Sequence, residues 1–479
     1  MPLVAAHHAR RAPNRKTPLV TDVLSSSPEQ LLPDAELRGL LEALRAEHHV
    51  PGAAVGVIHG DRTYAVCSGV TSTTDPSDVT ADTLFFIGST TKTMTGTVVM
   101  RLGDEGRLRL SDRVVDHVPE LRLLDESARA AVTVAHLLNH TAGWRGDAVA
   151  DLGWGDDALA RGLDSIVAEM PQLFPPGAMT SYNNAALVLA GRLVEKVTAL
   201  TYEDAVRTML FEPLGMSDTY FLPWEVWSRP LAVGHIVQGG VAEPYYGWPL
   251  FRAINPAGGA ISTIRDQLRY ARYHLDGTAI GAPPITDASR LLMQQATASM
   301  RSGLTGVGIT WLLQRHGDLR LVTHGGNASG LYLSSFVLAP DERFAVTVLT
   351  NGTGGGPLGR AVVDWAIQHF LDRPARPALP TLELTPSLLR DYVGRYDAGM
   401  WNLEISHEDG RLLLRQVAHD ADDAAALGGG VPTEIVLVGP DQVASRDAAT
   451  EIAGDFVRDD RGVVRWLRYG LRLARRLEV

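Results

Sequence analysis

The chain has 479 residues, 45% apolar and 21% charged, with a formal net charge of −11. That length exceeds what one core usually fills, so more than one domain is expected, and the acidic balance excludes a nucleic-acid binder that works through phosphate contacts. No stretch reaches the ~18 apolar residues of a membrane span, and the single cysteine, Cys67, excludes an internal disulfide.

Residues 1–33 read as a disordered tail. The apolar stretch before His7 is shorter than the ~7–15 residue core of a secretory signal. With one unpaired cysteine, this places the protein in the reducing cytoplasm. Asp34 to His48 carries Leu37, Leu40, Leu41 and Leu44 on one stripe, an amphipathic helix. Ala53 to Ile58 and Thr63 to Ser68, separated by Gly60-Asp61, read as a hairpin.

The next segment carries the strongest chemical signal. Leu84 to Ile87 is a short apolar run, Gly88 follows, and Ser89 to Leu102 places Met94, Val98 and Leu102 at helical spacing. Ser89 then stands at a helix start, a position serine favours. Lys92 lies one turn on, over the same face. Of 44 basic residues only Lys16, Lys92 and Lys196 are lysine. Arginine keeps its proton near neutrality, whereas a buried lysine can lose it. A helix N-terminus also offers free N–H groups and partial positive charge. These lower an amine's pKa and can hold an oxyanion.

Helical stretches dominate to about residue 300. Within them the turn Phe174 to Gly177 leads to Ser181-Tyr182-Asn183-Asn184 and a helix from Ala185 to Val197. Tyr182 can relay a proton there, and the Asn184 amide can bridge a lysine and a substrate carbonyl. Strands return at Gly308 to Gln314, Leu319 to Thr323, Leu331 to Leu338 and Phe344 to Thr350, with a closing helix from Val362 to Leu371. His324-Gly325-Gly326 sits between two of these strands, and a glycine pair at a strand lets a ligand approach the backbone. Strands at both ends of a helical middle predict an α+β fold: an antiparallel sheet flanked by helices plus a helical subdomain, with the motifs in the cleft between them.

Pro374, Pro377, Pro380 and Pro386 mark a stiff linker over 374–388, between a domain at 34–373 and another at 389–479. The second domain alternates apolar and polar residues in short strands, as at Trp401, Leu403 and Ile405, which predicts a small β-barrel. Asp420 to Gly430 reads as a mobile loop. In a last strand from Val463 to Leu473, Trp466, Arg468, Gly470 and Arg472 share one face. Arg468 and Arg472 are then either solvated or lean into the cleft to bind a substrate carboxylate.

Ser89-x-x-Lys92, Tyr182-x-Asn184 and His324-x-Gly326, each occurring once and in this order, resemble the three motifs of class C β-lactamases and penicillin-binding-protein-like serine hydrolases. That family includes esterases, D-amino-acid peptidases and acyl transferases. Thr133 to Trp144 and Glu212 to Met216 are similar to it too, so the likeness runs from about Leu40 to about Phe370. The barrel domain resembles the lipocalin-like domain that some members carry. The resemblance implies that Ser89 is the nucleophile and Lys92 the base, that Tyr182 relays the proton, and that Asn184 orients Lys92 and the substrate amide. His324, Gly325 and Gly326 border the cleft, with the backbone N–H groups of Ser89 and Asn327 as the oxyanion hole. Many relatives have lysine where this chain has His324, so a permanent charge for a substrate carboxylate is missing, which counts against β-lactam hydrolysis.

The reading is a serine hydrolase that cleaves an ester or amide, of small-molecule or peptide character, through acyl-Ser89. It needs no cofactor, metal, nucleic acid or membrane span, and its oligomeric state is open. One alternative is a transacylase or peptide cyclase with an amine or alcohol acceptor. The other is a non-catalytic binding protein of the same fold.

Overall fold

The Asp34 carboxylate accepts from the Leu37 N–H at 2.8 Å and starts helix α1 (Ala35–Glu47), whose Leu37, Leu41 and Leu44 are buried. The chain then forms the hairpin β1 (Gly52–His59) and β2 (Arg62–Gly69). The structure, a computed structural model, describes residues 31–147, 150–383, 385–399, 401–417, 430–446 and 450–477. The tail before Leu31 and nearly all of the loop expected at Asp420 to Gly430 lie outside them.

After α2 (Thr91–Asp104), α3 (Asn184–Thr198) and α4 (Ile264–Asp276), five strands follow: β3 (Gly306–Val307), β4 (Leu312–His316), β5 (Leu319–Ala328), β6 (Tyr332–Ala339) and β7 (Phe344–Thr350). They join the first hairpin in one antiparallel sheet of order β2-β1-β7-β6-β5-β4-β3. The run expected from Gly308 to Gln314 begins as a strand only at Leu312, and β5 extends through the His324-Gly325-Gly326 segment to Ala328.

Both faces of the sheet are covered, so β1 is apolar on both sides. Ala53, Val55 and Val57 pack with α1 and with α5 (Gly355–Leu371), while Ala54 and Ile58 face the larger core of α2, α3 and α4. Gly56 permits the close approach of α4, since a Cβ there would lie 2.8 Å from Leu268 Cδ2.

Helix α2 departs from the amphipathic expectation. Its residues from Thr91 to Met100 are all buried, threonines included. The hydroxyls are satisfied within the core: Thr93 Oγ1 donates to the Thr90 carbonyl at 2.8 Å, Thr97 Oγ1 to the Thr93 carbonyl at 2.8 Å, and Thr95 Oγ1 pairs with the Tyr202 hydroxyl at 2.8 Å.

The proline-rich segment is tied down on both sides. His316 Nε2 bonds the Pro374 carbonyl at 2.7 Å, and Arg376 reaches Glu451 at 2.6 Å. Its end forms a short helix, α6 (Pro386–Tyr392), capped by Thr385. Eight strands then close a barrel in sequence order: β8 (Gly394–Asp397), β9 (Asn402–Glu408), β10 (Arg411–Val417), β11 (Thr433–Gly439), β12 (Gln442–Ser445), β13 (Gly454–Arg458), β14 (Val464–Tyr469) and β15 (Arg472–Arg476). Tyr396, Ile405, Leu412, Leu437, Phe456 and Leu467 are among the buried side chains of its core.

The expected last strand is two strands. Gly470 (φ 55°) and Leu471 (φ 69°) form a tight turn between β14 and β15. Arg468 therefore pairs across with Leu473 and Arg472 with Tyr469, so the two arginines lie on opposite faces. Residues Leu31–Val479 make one compact unit. Within it the barrel meets the first domain at a buried ion pair of its own: Arg468 grips Asp455 at 2.7 and 2.8 Å, donates across to the Thr180 carbonyl at 3.2 Å, and is 5% exposed. Ser302 Oγ donates to the same carboxylate at 2.5 Å.

Removing one member of such a pair leaves a buried charge unmatched, at a cost of about 3–5 kcal/mol. Asp455→Ala is therefore expected to lower stability by that amount in chemical denaturation, and the double variant Arg468→Met/Asp455→Leu to recover most of it. A loss below about 1 kcal/mol in Asp455→Ala would show the pair to be effectively solvated.

Candidate active site

Gly88 (φ 52°) turns the chain from the run at Phe85-Phe86 into one 3₁₀ turn, Gly88–Thr90, that leads directly into α2. A side chain at Gly88 is blocked by the third motif, because its Cβ would lie 2.5 Å from Asn327 N. Likewise a Cβ at Gly326 would collide with the Ile87 carbonyl. These two glycines let β5 and the Ser89 turn touch, backbone to backbone. The β4–β5 ladder ends at Thr323, so from His324 to Ala328 one edge of β5 is open.

Lys92 is fully buried. Its Nζ lies 3.0 Å from Ser89 Oγ and donates to the Ala257 carbonyl at 2.5 Å. Burial above all, then the nearby Arg472 guanidinium, holds its pKa well below the usual lysine value, with Asp147 pulling the other way. The ammonium also lies 4.8 Å from the Tyr182 ring centre. Tyr182 is buried, and burial raises its hydroxyl pKa although contact with Ser89 opposes this. Burial thus favours the neutral form of both groups, a phenol at Tyr182 and an amine at Lys92.

Two histidines complete the surroundings. The His324 Nδ1 bonds the Gly325 carbonyl at 2.7 Å, and burial followed by the Lys92 charge pushes its pKa down to about 3. His324 is thus neutral near pH 7 and supplies no positive charge. The His140 ring lies 4.5 Å from that of Tyr182, and its Nδ1 accepts from the Asn183 N–H at 3.2 Å.

Asn184 is placed differently from the expectation. Its amide donates to Asp147 at 2.6 Å, and the contact expected of it, orienting Lys92, is made by the Ala257 carbonyl. Asp147 in turn grips the Arg472 guanidinium, whose Cζ is 4.8 Å from the Tyr182 ring centre. Arg472 therefore belongs to the site, and Arg468 is committed to Asp455 away from it. The barrel also holds the tyrosine loop by its backbone: Tyr182 N–H donates to the Leu471 carbonyl at 2.9 Å, and Leu473 N–H to Ser181 Oγ at 3.1 Å. Ala257 acts through its backbone and Asp147 lies on a loop, so neither had a sequence signal. His140 falls within the segment Thr133 to Trp144 and could have been singled out there.

The sequence profile of the Beta-lactamase family matches residues 37–368, and the chain belongs to that family. It is 37% identical over 319 residues to penicillin-binding protein 4 of Amycolatopsis lactamdurans, covering 65% of this chain and 83% of that one. It is 27% identical over 340 residues to an unguisins hydrolase of Aspergillus campestris, covering 68% of this chain and 63% of that relative. Among solved structures it is similar to SurE, with a TM-score of 0.73 and 26% identity over 92% of this chain and 98% of that one. SurE has also been solved with D-Leu.

Arg472 lowers the pKa of Lys92, so replacing it should raise that pKa. In Arg472→Gln, the acid limb of the pH profile of kcat/KM is expected to move to higher pH, because the neutral amine then appears later. A limb that stays put while the rate falls would assign Arg472 a role other than tuning Lys92.

Proposed function

We propose that this protein is a serine acyl-transfer enzyme that opens an ester or amide through an acyl-Ser89 intermediate and releases the acyl group to water. The observation that carries the reading is Lys92: a buried amine 3.0 Å from Ser89 Oγ, with a backbone carbonyl as its other partner. An amine in that setting keeps one N–H on Ala257 and turns its lone pair to the serine proton. Ser89 Oγ then attacks the acyl carbonyl while Lys92 takes its proton. The oxyanion is received by the N–H groups of Ser89 and Asn327, whose approach Gly88 and Gly326 permit. Tyr182 passes a proton to the leaving group and afterwards helps to draw one from the incoming water.

A peptide-like substrate is favoured by the relatives, one of which bears the name of a hydrolase of unguisins and another of which was solved with D-Leu. A neutral His324 argues for acyl groups without a carboxylate at that edge. Arg472, held by Asp147 over Tyr182, is the cation left to meet an anionic group on a substrate or acceptor. The second reading is transfer to an amine or alcohol, as in a peptide cyclase. It is favoured by the barrel, whose Leu471 carbonyl and Arg472 guanidinium reach the tyrosine that would serve an incoming acceptor. The free thiol of Cys67 suits a reducing compartment. Among the described residues no helix is long and apolar enough to cross a membrane.

Ser89→Ala is expected to lower turnover by on the order of 10⁴-fold or more in a folded protein, and to abolish the adduct that intact mass spectrometry detects with a fluorophosphonate probe. Near-parental turnover would sink the mechanism. Lys92→Arg keeps the charge and loses the base, so the acylation rate should collapse. An acylation rate that survives in Lys92→Arg would show Lys92 to be a structural cation. Resolving products with and without an added amine separates hydrolysis from transfer.

A further inference from the structure

The described surface carries an unusual concentration of aromatic side chains on one flank of the first domain. The Trp154 ring lies 6.2 Å from that of Trp224 and 6.1 Å from that of Trp248, both edge to face. Trp248 meets Phe86 at 4.9 Å, and Phe86 meets Tyr332 at 5.1 Å. Phe86 and Tyr332 are buried, Trp154 and Trp248 half-buried, and Trp224 is 48% exposed. The rings thus form a ramp that starts under the catalytic turn and climbs to the surface. Its buried end is ordinary core. Its exposed end has no packing reason to be indole, which is costly to leave in water.

The ramp is built into the active site. Phe86 stands three residues before Ser89. The segment holding Trp248 and Leu250 runs on into Ala257, whose carbonyl holds Lys92. Leu250 Cδ1 and the Gly88 carbonyl carbon each lie 3.7 Å from the position a Cβ on Gly258 would take, so Leu250 approaches the nucleophile turn itself. The Pro249 carbonyl accepts from Ser329 Oγ at 2.6 Å, two residues after Asn327. On the opposite side the Trp154 carbonyl accepts from Arg252 at 2.6 Å, and Arg252 is locked by Glu203 at 3.0 Å. Trp154 lies seven residues after Asp147, the partner of Arg472. The walls that carry the ramp are therefore the walls that carry Lys92, Asn327 and Asp147, and each is pinned by hydrogen bonds.

We propose that Trp154, Trp224, Trp248 and Leu250 form an acyl-side subsite that binds a bulky apolar or aromatic side chain carried some bonds upstream of the carbonyl that Ser89 attacks. The substrate class is an acyl chain of peptide type with such a group one to three residues before the reacting one. The inference rests on the acyl-Ser89 reading for its chemistry but on the ring geometry for its binding. The exposed part of Trp224 and the half-buried faces of Trp154 and Trp248 offer a further ring the offset or T-shaped contacts that aromatic pairs prefer. The ring contacts that continue from Trp248 to Phe86, with Leu250 beside the Gly88 turn, give the occupant its direction, towards Ser89.

The test uses the full chain and two p-nitrophenyl esters that share the residue at the reacting carbonyl. One carries an N-acetyl-Phe-Phe extension, the other N-acetyl-Gly-Gly. The parent protein is expected to prefer the first by at least ~10-fold in kcat/KM, about what one well-seated aromatic group contributes. That ratio should fall at least five-fold in Trp224→Ala and in Trp248→Ala, and be largely kept in Trp224→Phe. A parent ratio below three, or a ratio kept in both alanine variants, overturns the subsite. Equilibrium binding of the matching peptide amides by calorimetry, which needs no chemistry, keeps the two readings apart. Aromatic-selective binding without ester turnover fails the Ser89 mechanism and upholds the subsite. Turnover without aromatic selectivity does the reverse. A patch that prefers neither peptide form is left as a docking face for another protein.

Discussion

The burial of one amine organises the first domain. An amine out of water loses its proton more readily, and Lys92 is fully buried, with Arg472 favouring the neutral form and only Asp147 opposing it. The helix that carries it is accordingly buried around its whole circumference from Thr91 to Met100, and it is rich in threonine. A threonine can return its hydroxyl to the preceding turn and present a methyl group to the core. A buried helix can in this way be polar in composition and satisfied in its hydrogen bonds. The short helix at Asn255–Gly258 has the matching duty: it turns the Pro256 and Ala257 carbonyls towards Thr95 and Lys92.

The second constraint comes from outside that domain. The tyrosine loop does not close on its own sheet. It is clamped between the turn at Gly146, which accepts the Asn184 and Ala185 N–H groups, and the β14–β15 turn of the barrel. Arg472 bridges the two through Asp147. The electrostatics of the amine and the position of the phenol therefore depend on a guanidinium supplied from the barrel. Two separate hydrophobic cores within one compact unit flank this cluster, and the barrel's internal Arg468–Asp455 pair meets the other side through Thr180 and Ser302.

Much of this was legible in the residues. The hairpin at β1–β2, helix α1 and its Asp34 cap, and β7 follow from periodicity and turn chemistry, which are local. The sheet order, with β1 beside β7, is a long-range pairing that no local pattern encodes. The three motifs marked Ser89, Lys92, Tyr182 and His324 because each pairs a reactive side chain with glycine or a helix start. Contacts made through a backbone carbonyl, such as Ala257, carry no residue signature. The split of the last strand was hidden because Gly470-Leu471 continues an alternating pattern, and only a positive φ at a leucine breaks it. That single break moved Arg472 off the face it was expected to share with Arg468. The resemblance placed Asn184 on Lys92, whereas here the nearby Asp147 claims its amide.

The clamp on the tyrosine loop also sets an order of events during synthesis. The Leu471 carbonyl and the Arg472 guanidinium lie about a hundred residues beyond the end of the family match at residue 368. While the chain leaves the ribosome, the sheet and the buried lysine can form long before these two groups exist outside the tunnel. During that interval Ser89 and Lys92 are in place, but the phenol of Tyr182 beside them lacks its backbone anchor and its cation. The tyrosine loop therefore gains its backbone anchor and its neighbouring cation only when the final hairpin has folded.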